Sequence, residues 1–325
     1  MEWEKLGVIW APQGEAEWAK SHATLPVVQE LENDRWRLFV STRDADGKSR
    51  IGRLDLDASG LPESRVPTVV SFAPDPVLSL GEPGTFDDSG VMPSWLVTNG
   101  SEVRLYYIGW NVVGTVPYRL AIGLAVSHDD GATFQRQSIG PIVDRSAHEP
   151  FFATAPCVLV EGGLWRMWYI SCTRWNRRGD GWDPCYHVKY AESSDGVDWN
   201  ITGISCIDAG EQFAIGRPCV FRRGDRYAMF YSIRSIVDFR TNPDNAYRLG
   251  YAESADGIVW NRLDDQVGID RSADGWDSQM LEYCWVQQHR DQTYLLYNGN
   301  GFGSSGVGIA RLERALIRPS AAPAS

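Results

Sequence analysis

Five copies of one unit constrain this 325-residue chain more than anything else in it. Strand-like tracts begin at Trp36 (WRLFVST), Val103 (VRLYYIG), Trp165 (WRMWYIS), Tyr227 (YAMFYSI) and Tyr294 (YLLYNGN), with starts 67, 62, 62 and 67 residues apart. Nine or ten residues earlier lies a second tract, opening at Pro26, Pro93, Pro156 and Pro218, with Cys284 in the matching place of the fifth copy. A third tract follows each pair, opening at Ser49, Tyr118, Tyr186, Tyr247 and Gly306. Three copies then close on Asp-Gly-x-x-aromatic, at Asp130 to Phe134, Asp195 to Trp199 and Asp256 to Trp260. A fixed period of this size with several short strands per copy signals a radial all-β array. The expected fold is an all-β, five-bladed β-propeller with four-stranded antiparallel blades around a central channel. It forms one domain over residues 1–318, the segment around Leu6 to Trp10 adding a closing strand; residues 319–325, poor in apolar side chains, are expected to be a disordered tail.

A content of 43% hydrophobic residues supplies an ordinary globular core, and the 14 Trp and 13 Tyr suit packing between blades. A net charge of −11 argues against a nucleic-acid backbone as partner, because such binding needs a surplus of Lys and Arg. No run approaches a membrane span, and MEWEKLGVIWAP lacks the layout of a secretory leader, so the expected location is cytoplasmic, with no membrane partner. The six cysteines form no Cys-x-x-Cys pair and read as small buried hydrophobes, Cys157, Cys219 and Cys284 at equivalent places. The five histidines show no ligand spacing, and no Gly-rich phosphate loop is present, so neither metal nor cofactor is expected.

Tight turns such as Thr98-Asn99-Gly100, Glu161-Gly162-Gly163 and Arg223-Gly224-Asp225 join the first and second tracts as hairpins. A hairpin puts the start of its first strand beside the end of its second. One end of the array therefore gathers His22, Thr24, Asp87, Asp88, His148, Glu149, Thr154, Glu211, Arg217, Asp277 and Glu282 from strand starts. From strand ends it gathers Arg43, Asp44, Trp110, Asn111, Arg174, Trp175, Arg234, Asn298 and Asn300. The long segments 172–185 and 234–246 are expected to rim the same funnel.

Paired carboxylates at such a funnel suit glycoside hydrolysis, which needs one acid and one ionised carboxylate. Asp88 with Glu149 is the preferred pair; the competing reading makes Asp88 a turn brace and Glu149 the partner of a cation. Asp277 and Glu282 form a second candidate set, with a structural pairing of Glu282 to Arg217 or Arg234 as its rival. Arg43, Arg174, Arg217 and Arg234 suit a carboxylate or phosphate through forked hydrogen bonds, or else neutralise the neighbouring acids. The Asp-Gly-x-x-aromatic endings read as structural turns.

Five repeats with an inner strand opening at x-x-Pro, the segment Phe86-Asp-Asp-x-Gly-Val-x-Pro93, Glu149-Pro-Phe and the Ser-x-x-Asp-Gly-x-x-Trp-like endings resemble the five-bladed β-propeller glycoside hydrolases. Families 43, 32 and 130, which include arabinanases and invertases, belong to that superfamily, and the likeness runs from Pro26 to Arg311. It implies a carbohydrate-active enzyme of glycosidase type on a small, possibly anionic glycoside. Asp88 would be base or nucleophile and Glu149 acid. His22, Arg43, Asp44, Arg174, Arg217, Arg234, Asn298 and Asn300 would hold the substrate, and Trp110 and Trp175 would stack on a sugar face. The superfamily also leaves room for a calcium ion in the channel. The chain departs from the family-43 pattern, because Leu25, Met92 and Ala155 stand directly before the prolines where that pattern places catalytic carboxylates in blades one to three. Three alternatives remain open: a phosphorylase or glycosyl-transfer enzyme, a biosynthetic cyclase or lyase on a reused scaffold, and a non-catalytic sugar-binding propeller.

Overall fold

The computed structural model describes residues 1–314; the expected tail, 319–325, lies outside them. Strand β1 (Glu2–Trp10) is followed by four units of four strands. The first is β2 (Ser21–Glu30), β3 (Arg35–Arg43), β4 (Ser49–Asp57) and β5 (Thr68–Phe72). The second is β6 (Gly90–Asn99), β7 (Glu102–Val112), β8 (Tyr118–Ser127) and β9 (Gln135–Arg136). The third is β10 (Ala153–Glu161), β11 (Leu164–Arg178), β12 (Gly181–Ser193) and β13 (Asn200–Ile207). The fourth is β14 (Phe213–Arg223), β15 (Arg226–Ser235), β16 (Arg248–Ser254) and β17 (Trp260–Arg262). The fifth comprises β18 (Glu282–His289), β19 (Gln292–Asn298) and β20 (Val307–Arg314), and β1 pairs with β20 to complete it. Within each unit neighbouring strands are antiparallel. A lone parallel bridge, Ser49 to Gly90, joins the first two units into one sheet.

Burial follows position in the unit. The inner strands β2, β10 and β14 are nearly continuous buried runs, whereas in the outer strands β5 and β13 at least half of the residues are exposed. Strands covered on both faces take apolar residues at successive positions, and half-covered ones alternate. The inner strands β2, β6, β10, β14 and β18 each pack on the next, and β18 packs on β2.

The space between the inner strands is filled. Trp95 of β6 and Trp285 of β18 meet with ring centroids 4.5 Å apart, and the Cys157 thiol accepts the Val220 amide at 3.2 Å. The guanidinium of fully buried Arg217 donates to the carbonyls of Tyr283 (2.7 Å), Pro26 (2.8 Å) and Ser94 (3.0 Å). Carbonyls that could ligate a channel cation are thus occupied by an arginine, and the residues present do not fit the calcium ion that the likeness leaves room for. Among the described residues no group of three or more metal-ligating side chains occurs, and no helix is long and apolar enough to cross a membrane.

Neighbouring units are stapled through the Asp-Gly turns. Asp195 Oδ1 accepts the amides of Val197 and Asp198, and Asp256 Oδ1 those of Ile258 and Val259. Arg104 of the second unit then donates to the Asp195 carbonyl (2.6 Å), and Arg166 of the third to that of Asp256 (3.0 Å). In the second unit the turn is one residue out of step: Asp129, not Asp130, accepts the Thr133 amide, and Asp130 instead takes a hydrogen bond from Gln29.

Two sequence expectations are corrected by register. Residues 172–185 are not an irregular loop but the tip of an extended hairpin, with pairing from Arg174–Cys185 to Arg178–Gly181, and its Asp183 and Pro184 contact Arg240 and Arg234. Cys157 and Cys219 are equivalent, opposite Trp168 and Phe230, but Trp285 rather than Cys284 takes that place in β18, opposite Leu296. All six cysteines are free, and five of them are buried.

Candidate functional site

Every inner strand carries a register break near its start, at Thr24/Val27, Pro93/Trp95, Thr154/Cys157, Gly216/Cys219 and Glu282/Trp285. Such bulges re-aim side chains and recur beside functional sites. At three of them a non-glycine residue adopts the left-handed region: Leu25 (φ 56), Ala155 (φ 48) and Tyr283 (φ 55). Backbone held this way costs on the order of 1–3 kcal/mol and clusters at ligand sites. All three residues line a cavity of about 340 Å³ at the end of the array that the sequence marks. That volume suits a small ligand.

The cavity is aromatic and cationic. Trp110, Tyr118, Tyr186, Tyr247, Tyr283, Phe239 and Phe302 line it, together with Arg43, Arg217, Arg234 and Arg240. Leu25, Met92 and Ala155, which stand directly before the prolines of the first three units, line it too, and no Asp or Glu lines the cavity among the described residues. Trp110 is held by an Nε1 hydrogen bond to Ser49 Oγ (2.8 Å). Gly90 makes that contact possible, since a Cβ there would stand 2.0 Å from Trp110 Nε1.

The four arginines differ in what their charge is committed to. Arg217 is spent on backbone carbonyls, as above. Arg234 donates to Tyr247 Oη (3.1 Å) and to the carbonyls of Ser235 and Pro184, with its carbon 3.7 Å from the Phe239 ring centre. Although its burial works against the charged form, the facing Tyr247 and Tyr186 phenols raise its pKa. Arg240 reaches Asp183 at 3.3 Å. Arg43 has no side-chain hydrogen bond or ion pair among the described residues. Burial lowers its pKa, with Arg240 adding to that effect and Tyr283 and Glu282 opposing it. Half-buried His22, beside it, is lowered to about 4 by burial and by the Arg43 charge.

Behind the wall formed by Thr24, Leu25, Arg43 and Tyr283 lies Glu282, wholly buried. Its Oε1 accepts Asn298 Nδ2 (2.9 Å), and Asn298 Oδ1 in turn accepts the Thr24 hydroxyl and the Leu25 amide. Glu282 Oε2 has no hydrogen-bond partner among the described residues, although Tyr283 stands close enough to act on it. Burial raises the Glu282 pKa to about 8, against the opposing pull of Asn298, Arg43 and Arg234.

The structure thus gathers Arg43, Trp110, Arg217 and Arg234 around the cavity, with His22, Glu282 and Asn298 close behind. The other candidates lie elsewhere. Asp88 braces a turn, accepting the Gly84 amide (2.9 Å) and the Ser89 hydroxyl (2.9 Å). Glu149 is wholly buried and accepts Tyr169 Oη (2.9 Å), Lys189 Nζ (2.8 Å) and the Ser171 hydroxyl. Asp277 accepts Lys5 Nζ (2.6 Å) and Tyr297 Oη (3.0 Å), pinning the N-terminal strand. Asp87 repeats the pattern with Tyr107 (3.0 Å) and Arg136 (2.8 Å). A carboxylate between a strand tyrosine and a cation is therefore a recurrent internal brace. Asp44 caps its own turn and pairs with Arg50, and Asn300 bonds the Gln279 amide and the Gly275 carbonyl. Arg174 bonds the Glu211 carbonyl, and Trp175 packs on Tyr118 and Phe152.

The aromatic wall escaped the sequence reading, although a signal for it existed. Tyr118, Tyr186 and Tyr247 open the third tract in three successive repeats, so the repeat itself delivers their side chains to one place. Phe239 and Arg240 come from the irregular segment after β15, which has no repeat counterpart.

No family model matches the chain. Two proteins of Mycobacterium tuberculosis, called uncharacterized protein MT1551 and uncharacterized protein Rv1502, are each 40% identical over 318 residues, spanning 96% of this chain and 100% of each relative. Among solved structures, a thermostable family-43 glycoside hydrolase matches with a TM-score of 0.67 at 16% identity, over 94% of this chain and 97% of that one. An endo-arabinase from Bacteroides thetaiotaomicron matches at 0.63 and 10% identity, over 95% and 98%. A family-32 β-fructofuranosidase of Bombyx mori matches at 0.60 and 16% identity, over 92% of this chain and 64% of that one. At such identities the likeness shows the fold alone, an all-β array of antiparallel sheets arranged like propeller blades. The chain belongs to the family of the two mycobacterial proteins.

Proposed function

We propose that this member of that family is a carbohydrate-active protein of glycosidase-like type whose cavity takes a small anionic sugar. We further propose that its five units form one closed five-bladed ring, a single domain. The observation that carries the functional reading is Arg43: a guanidinium without hydrogen bond or ion pair among the described residues, on the wall of an aromatic cavity. A cation kept out of internal pairs in partly desolvated surroundings favours an anionic ligand through charge-assisted hydrogen bonds. Trp110 and the tyrosine wall offer flat apolar faces to a sugar ring. The distant fold likeness to carbohydrate-active enzymes supports the same class.

Hydrolysis by the Asp88 and Glu149 pair is no part of this proposal, because both carboxylates are committed to protein donors outside the cavity. The test is isothermal titration with D-glucuronate, glucose 6-phosphate and glucose. The anionic sugars are expected to bind and glucose to bind far more weakly. Arg43→Gln is expected to lose about 10- to 100-fold in affinity for the anions, the worth of one charge-assisted contact. Equal binding of glucose and glucuronate, or an unchanged affinity in Arg43→Gln, would overturn the reading.

A further inference from the structure

We propose that Glu282 sets the anion affinity of this cavity by competing with the ligand for Arg43, so that anion binding is coupled to the proton on Glu282. The inference rests on the anionic-ligand reading above and goes beyond it by naming the residue that governs it. The geometry comes first. Glu282 is wholly buried, and one carboxyl oxygen is satisfied by Asn298 while the other has no hydrogen-bond partner among the described residues. Arg43 is the nearby cation without a hydrogen-bond or ion-pair partner among the described residues, and the two interact through space without being in contact as an ion pair.

A carboxyl in this setting has two states. Protonated, it carries no charge and leaves Arg43 to the ligand. Ionised, it is a buried anion stabilised by the Asn298 hydrogen bond and then by the charges of Arg43 and Arg234, and it opposes a second anion at the Arg43 guanidinium. With burial pushing the carboxyl up to about 8, the neutral form prevails at neutral pH.

Other groups face this end from the strands packed on β18. His22 of β2 is lowered to about 4 and is neutral through the relevant range. Arg217 of β14 and Arg234 of β15 stay charged, and burial raises the Tyr283, Tyr118 and Tyr186 phenols. Tyr247 is held by Arg234, and Arg248 of β16 pairs with Asp270. Cys219 of β14 is lowered by Cys284 and Arg217 despite the upward push of its burial, so it is the other group that can titrate nearby. Asp277, beyond β19, is held by Lys5 and Tyr297.

The probe is D-glucuronate, whose own carboxylate stays ionised from about pH 6 to about pH 9. In the wild type, its affinity is expected to be flat below the Glu282 pKa and to fall about tenfold per pH unit above it. Glu282→Gln should keep the neutral-pH affinity within about threefold and abolish the fall. A fall that persists in Glu282→Gln points to Cys219 or another group and overturns the proposal, as does a flat wild-type profile. If glucuronate binds at no pH, the anionic-ligand reading fails on its own account, and the Glu282–Arg43 coupling is then read without ligand. The infrared C=O band of a protonated carboxyl, identified by its loss in Glu282→Gln, should titrate near pH 8 in the wild type and at higher pH in Arg43→Gln. An unshifted titration in Arg43→Gln overturns the coupling.

Discussion

Arg217→Met tests whether the most buried arginine is a brace or a ligand-binding group. Its side chain is wholly buried and donates to carbonyls on three different inner strands, those of Pro26, Ser94 and Tyr283, at 2.7–3.0 Å. Methionine fills similar space but donates nothing. Each carbonyl left without a donor costs about 1–3 kcal/mol, so the three together cost roughly 3–9 kcal/mol. Removing the guanidinium also removes the burden of burying a charge that faces no carboxylate, which returns several kcal/mol. The expected net loss is about 3 kcal/mol, a large share of a typical stability of about 5–15 kcal/mol. With an m-value of about 3 kcal/mol per molar, the urea midpoint followed by tryptophan fluorescence should drop by about 1 M. Arg217→Lys, which keeps the charge but reaches fewer carbonyls, should fall between the two. A midpoint within about 0.3 M of wild type for Arg217→Met would refute the bracing argument.

Two further outcomes follow from the buried carboxyls. Glu149→Gln takes the counter-charge from Lys189 and the acceptor from Tyr169 or Ser171, and should cost about 3 kcal/mol in urea unfolding while leaving glucuronate affinity unchanged. Loss of binding with stability intact would instead return Glu149 to the site. Glu282 predicts a pH dependence of opposite sign to that of a paired carboxylate. Its folded pKa, about 8, lies above the ordinary 4.5, so its contribution to stability is fully present below about pH 4.5 and is lost as pH rises toward 8. The melting temperature of wild type relative to Glu282→Gln should therefore fall across that window, by an amount corresponding to a few kcal/mol at most. A constant difference across the window would show that Glu282 is ionised at neutral pH.

Much of the architecture is written in the repeats. The five hairpins follow from local pattern, because the two strands of each join residues close in sequence, whereas β1 pairs with β20 from the far end of the chain. The same logic carries Arg43, Trp110 and Arg234 to one end, since hairpin geometry fixes which ends meet. The fate of the carboxylates was not legible. Asp87, Asp277 and Glu149 look alike to Glu282 in sequence, yet a tyrosine and a cation reach the first three, while among the described residues no cation lies within ion-pair distance of Glu282. Lys5 meets Asp277 across 272 residues of chain. Arg217 looked like a substrate clamp until carbonyls 66, 123 and 191 residues away claimed its donors. The sequence determines which strand ends, and so which charged side chains, gather at one end of the array, because periodicity is local. Only the tertiary structure decides which of them arrive with charge to spare, because a buried ion is satisfied by whatever donor or acceptor the packing brings to it.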